Sequence, residues 1–155
     1  MLNIYIYVAL SIVILSGAAG AVPLEEWNRT YGDTGEDVLS DLRQTADGGY
    51  IISGSTCLNR TVPCEGLLIK TDAKGNVEWK RTYIGSTRYV RQTMDGGYIA
   101  IGYLYPIGDF YLLRTDGNGS ALWNRTYKGY LKSVLQTGDG GYRAAGSIVD
   151  PASGH

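Results

Sequence analysis

Three short landmarks recur along this chain in the same order, and copies of one segment must fold as copies of one unit. Trp27-Asn28-Arg29-Thr30-Tyr31 returns as Trp79-Lys80-Arg81-Thr82-Tyr83 and again as Trp123-Asn124-Arg125-Thr126-Tyr127. The run Gln44-Thr45-x-Asp47-Gly48-Gly49-Tyr50 returns at Gln92 to Tyr98 and at Gln136 to Tyr142. Lys70-Thr71-Asp72-Ala73-Lys74-Gly75-Asn76 is matched by Arg114-Thr115-Asp116-Gly117-Asn118-Gly119. The tryptophans are 52 and then 44 residues apart. Two insertions of four residues account for the difference, one between Tyr31 and Gln44 and one between Tyr50 and Lys70. Constant segments whose lengths change only at fixed places are strands and loops of a repeated unit.

Each unit reads as four short strands. Val38 to Thr45 is the first, and Asp47-Gly48-Gly49 is a tight turn in which glycine supplies the positive φ. Tyr50 to Gly54 is the second, Gly66 to Thr71 the third, and Asp72 to Asn76 the next hairpin turn. Val77 to Tyr83 is the fourth, alternating in and out with a period of two. Four strands every 40 to 50 residues is the sequence form of a propeller blade. The expected fold class is therefore all-β: a partial β-propeller of four-stranded antiparallel blades, about two and a half of them, over residues 22–155. Composition agrees, with 22 Gly, 13 Tyr and 3 Trp but a single Phe, which suits strands joined by tight turns.

The repeats resemble the T-x-D-G-G-Y β-propeller repeats of archaeal and bacterial surface proteins. Gln92-Thr93-Met94-Asp95-Gly96-Gly97-Tyr98-Ile99-Ala100-Ile101-Gly102 and its two counterparts carry the match, which runs from Trp27 to Ile148. Thr71-Asp72-x-x-Gly75-Asn76-x-x-Trp79 is also similar to the hairpin of quinoprotein-type (PQQ-like) propeller repeats, a resemblance that implies a Trp docking one blade on the next. Neither resemblance implies an activity, because fold does not fix function.

After Tyr142 only 13 residues remain, so the third unit stops before its third strand would finish. The domain is read as truncated at its C-terminus. Either the chain is a fragment of a longer reading frame, or several copies associate into a ring as a homo-oligomer. Joining tail to head would leave the split unit without a third strand.

Residues 1–21 form a separate object. They carry no charged side chain, Ile4 to Leu15 is almost wholly apolar, and Ala19-Gly20-Ala21 suits a signal peptidase. A signal helix cleaved after Ala21 is expected; the alternative is an uncleaved signal anchor, the one membrane contact foreseen. Export agrees with the two cysteines, Cys57 and Cys64, seven positions apart and expected to pair. It also agrees with four glycosylation sequons, at Asn28, Asn59, Asn118 and Asn124. The expected location is extracellular or at the cell surface.

No catalytic constellation emerges. His155 is the only histidine, and no nucleophile elbow, metalloprotease helix or phosphate-binding glycine loop is present. Glu36-Asp37 reads as a solvated loop. Asp116-Gly117-Asn118-Gly119-Ser120 has the alternating oxygens of a calcium loop, but Tyr127 stands where an acidic twelfth ligand belongs, so a plain hairpin turn is expected. Neither a cofactor nor a metal is expected. The net charge of −1 gives no footprint for nucleic acid. Tyr103, Tyr105, Asp109 and Tyr111 surround one loop and suit sugar stacking, which makes Tyr105, Asp109 and Tyr111 candidate ligand residues; the competing reading is interblade packing. Arg88 and Arg91 lie before or in an innermost strand and are candidates to line a channel.

The function expected is a non-catalytic secreted or cell-surface module, a scaffold or adhesion domain whose partner is a protein or glycan. The alternatives are a lectin assembled from several chains and, more distantly, a fragment of a quinoprotein-like enzyme.

Overall fold

The computed structural model describes residues 10–16, 24–31, 36–57 and 63–147, with backbone alone for 10–16 and 24–27. Among the described residues there are strands and turns and no helix. The strands are β1 (Leu10–Ser16), β2 (Leu24–Tyr31), β3 (Glu36–Gln44), β4 (Tyr50–Cys57), β5 (Glu65–Thr71) and β6 (Val77–Ile84). They continue as β7 (Ser86–Gln92), β8 (Tyr98–Leu104), β9 (Asp109–Thr115), β10 (Ala121–Tyr127), β11 (Tyr130–Gln136) and β12 (Tyr142–Ser147). β3 to β6 form one four-stranded antiparallel sheet and β7 to β10 a second, each in chain order. β1–β2 and β11–β12 are two-stranded antiparallel pairs. The four strands expected in a complete unit occur in both four-stranded sheets, at the expected places.

These sheets stack on their faces. Ile51 and Leu68 of the first four-stranded sheet meet Val90, Tyr98, Ala100, Tyr111 and Leu113 of the second. The far face of the first sheet, through Ile52, Leu67 and Ile69, packs on Tyr31 of β2. The far face of the second, through Ile99, Ile101, Phe110 and Leu112, packs on Val134 of β11. Each central sheet is thus covered on both sides, and this is why β5, β8 and β9 are buried almost end to end instead of alternating. A fully buried Ile, Leu or Phe contributes roughly 1.5–3 kcal/mol, so this face-to-face burial is the main cohesive term.

Polar bonds then fix the stacking register, and the repeated residues make them. Gln92 Oε1 accepts from the Ala46 amide of the preceding turn, and Gln136 Oε1 from the Met94 amide, both at 2.8 Å. The Tyr31 hydroxyl donates to Gly75 O at 2.7 Å, and that of Tyr83 to Gly119 O at 2.5 Å, one sheet further on. Trp79 donates to Gly117 O at 3.1 Å and sets its ring against Tyr98 at 5.7 Å. Trp123 stands against Tyr142 in the same way. Each unit is locked to the next by its own repeat signature.

Within a unit, the Asp of the glycine-rich turn closes a local network. Asp47 accepts from the Thr45 hydroxyl and the Gly49 amide, while Gly48 takes φ +82°. It also pairs with Lys70 at 2.8 Å, and Lys70 reaches Glu78 at 2.9 Å. Arg114 forks onto Asp95 in the second sheet and donates to the Tyr142 hydroxyl. Both cationic side chains are only 4% exposed, and a buried cation without partners would be strongly destabilising.

Three expectations change. Of the signal helix over 1–21, residues 1–9 and 17–21 lie outside the described residues, and Leu10–Ser16 is a strand paired with β2. Its Ile12-Val13-Ile14 core is β-branched, and β2 offers it a free edge. The split unit therefore does not lack a strand beside its fourth. Asp37 is not in a solvated loop: it sits in β3 and is 2% exposed.

Candidate functional site

The first strand of every unit carries the same irregularity. Pairing slips between Leu39 and Asp41 in β3, between Thr87 and Tyr89 in β7, and between Leu131 and Ser133 in β11. Ser40, Arg88 and Lys132 are the extra residues of these β-bulges. Each bulge faces a glycine, Gly54, Gly102 or Gly146. A Cβ there would collide with Val38 O, the Tyr111 ring and Tyr130 O respectively. A bulge re-aims its side chain and bends its strand, so the repeated frame presents one variable residue per unit at an equivalent place.

Between the first two bulges lies a groove of about 420 Å³ lined by Val38, Ser40 and Ser55 of one sheet and Ser86, Arg88 and Tyr89 of the next. Its walls are held together by Asp41, which pairs with Arg91 at 2.7 Å and with Arg43 at 3.2 Å and accepts from the Val90 amide. Arg91 is thereby committed to the interface between sheets. Arg88 is not: among the described residues its partners are aromatic rings, Tyr103 at 5.2 Å and Phe110 at 5.7 Å. Phe110 in turn leans on Tyr130 at 5.3 Å. These contacts place the guanidinium against the rings of Tyr103 and Phe110, and a guanidinium is the group that pairs with a carboxylate or sulfate.

The loop candidates are dispersed. Tyr105 is 74% exposed on the turn between β8 and β9, and Asp109 opens β9 half-buried. Tyr111 is 3% exposed, packed over Gly102 with its hydroxyl 3.2 Å from the Thr87 hydroxyl, and burial pushes that phenol up. It belongs to the core and offers no face to a ligand, so the aromatic trio does not assemble; β9 is covered on both faces, so Tyr111 is buried whichever face it takes. Arg88 is the residue of the sequence reading that does line a groove.

Asp116 accepts from the Asn118 and Ser120 amides, as Asp72 does from Lys74 and Asn76, which makes both segments hairpin turns. Among the described residues no three His, Cys, Asp or Glu side chains gather to hold a metal. Cys57 and Cys64 are disulfide-bonded, tying the end of β4 to the approach to β5. The sequon residues Asn28, Asn118 and Asn124 are exposed, and Asn59 lies outside the described residues.

Two features went unread in the sequence. Lys70 and Arg114 were visible only as repeat marks, and their pairing with the turn aspartates needs the β4–β5 and β8–β9 registers. The bulges have a signal, since Ser40, Arg88 and Lys132 each precede the turn tyrosine by ten residues, but no residue type marks them. Compared with known proteins, the chain matches no family and no curated sequence.

Proposed function

We propose that this chain is a non-catalytic, propeller-type binding module of the cell surface whose groove takes an anionic saccharide. Arg88 carries the reading: it is the extra residue of the β7 bulge, it lines the groove, and its guanidinium lies against the Tyr103 and Phe110 rings with no carboxylate partner among the described residues. Three serine hydroxyls and the partly exposed Tyr89 add hydrogen-bonding and stacking groups of the kind sugar rings use. The stacked four-stranded sheets and their forward-reaching clamps support a blade architecture. The disulfide is consistent with an oxidising compartment, and the exposed sequons suit a glycosylated surface. The aspartates of the repeat are occupied by turn amides and ion pairs, which supports a structural role for them.

Titration calorimetry with uronic-acid and neutral oligosaccharides tests this. The acidic sugars bind and the neutral ones do not. Arg88→Ala weakens binding at least tenfold, about 1.4 kcal/mol, whereas Arg88→Lys keeps part of it. Equal affinity of wild type and Arg88→Ala would sink the proposal.

A further inference from the structure

β1 stands beside β2 in the register that the third strand of a unit holds to the fourth. In the two complete sheets, Lys70 is opposite Trp79 and Arg114 opposite Trp123. Ile14 is opposite Trp27, and Val13 opposite Asn28, as Ile69 is opposite Lys80 and Leu113 opposite Asn124. The irregularity that follows is also shared: Leu15 pairs with Glu25, Thr71 with Val77 and Thr115 with Ala121, each two residues before the tryptophan. β2 is a true fourth strand, since Tyr31 makes the bond to the next sheet that Tyr83 makes. β1–β2 is thus the second half of a unit, and β11–β12, with its bulge and turn, is the first half of one. Their inward edges are unpaired among the described residues, because β1 pairs only with β2 and β12 only with β11.

We infer that β12 of one copy pairs antiparallel with β1 of a second copy, so that two chains close a ring of six four-stranded blades. The inference rests on the blade architecture proposed above. Transferring the β8–β9 register fixes the joint: Arg143 opposite Ile14, Ala144 opposite Val13, Ala145 opposite Ile12, and Gly146 opposite Ser11. Among the described residues each copy brings the strands of three blades, two whole and one split between β1–β2 and β11–β12. Two copies make six, within the range of about four to eight at which propellers close, and three copies exceed it. Head-to-tail joints that close in this way end growth, where open ones would build filaments. Paired edges also cease to be templates for aggregation. Residues 10–16 are then a structural strand, which is incompatible with their removal as a leader.

The test is disulfide trapping in the full chain. Val13→Cys with Ala144→Cys places thiols at facing positions. Ile12→Cys with Ala144→Cys is one residue out of register, and neighbouring positions of a strand leave opposite faces. The expected result is one covalent species of twice the 16.8 kDa chain, from the facing pair only, matching the light-scattering mass of wild type. A cross-link at single-chain mass, a ladder of higher species, or no link from either pair overturns the inference. So does an N-terminus at Val22 in protein recovered from an exporting cell. A monomer that still binds acidic sugars defeats this inference and spares the binding proposal; a dimer that binds none does the opposite.

Discussion

At the scale of single residues, the turn aspartates show how one carboxylate serves two structures. Hydrogen bonds from Lys70, then from the Thr45 hydroxyl, hold the Asp47 carboxyl down at about 2. The Thr93 hydroxyl foremost does the same in direction for Asp95. Burial alone would lower the Lys70 ammonium, but its bonds to Asp47 and Glu78 outweigh this and leave it raised. A depressed carboxyl contributes stability that is fully present above its unfolded value, roughly 4, and is lost as pH falls through its folded one. Thermal unfolding of wild type should therefore show its melting temperature falling between pH 4 and about 2. Asp47→Asn should start lower at pH 7, because it leaves the Lys70 cation underpaired, and should fall less over that window. A parallel decline in both proteins would mean that Asp47 is not the titrating group. Gly97 makes a second test, since a Cβ there meets Thr115 O and the Arg114 guanidinium. Gly97→Ala should cost about 1–3 kcal/mol in a denaturant melt by overpacking. The turn role of these residues was legible from Asp-Gly-Gly alone, whereas the ion pairs join residues far apart in sequence and needed the strand register.

At the scale of elements, the repeated glutamines act between sheets rather than within them. Gln92 spends its carbonyl on the Ala46 amide of the preceding sheet, so Gln92→Ala should cost about 1 kcal/mol of global stability. Gln92→Glu keeps an acceptor and should recover most of it; equal losses would place the effect elsewhere than in that bond. The disulfide is more local. It closes a loop between residues seven positions apart, so replacing both cysteines by serine should lower stability by no more than about 2–3 kcal/mol, with the circular dichroism of the strands unchanged. The strands themselves were legible because constant spacings and a period of two mark them. β1 was not: an apolar run followed by small residues has the pattern of a leader, and only its alignment against Trp27 shows the strand. Tyr111 misled in the opposite sense, since proximity in sequence to Tyr105 does not reveal that β9 is covered on both faces by neighbouring sheets.

At the scale of the whole molecule, burial is graded from the middle outward. β8 and β9 belong to a sheet covered on both faces, while β12 is exposed along most of its length and paired on one edge. In a stack where each sheet contacts only its neighbours, opening should begin at the ends. Hydrogen exchange read by mass spectrometry should thus rank β4, β5, β8 and β9 slowest and β12 fastest in dilute protein. Concentration then separates an end that frays from an end that awaits a partner. Association stabilises by mass action only the groups it covers. If β12 pairs with β1 of another copy, protection of Tyr142–Ser147 should rise steeply with protein concentration while that of β8 and β9 stays level. The same amides should lose that dependence in a chain lacking residues 1–21, because the strand that covers them is gone. Exchange at β12 that ignores concentration in both proteins would leave each chain a separate stack, with its groove at Arg88 intact but no ring around it.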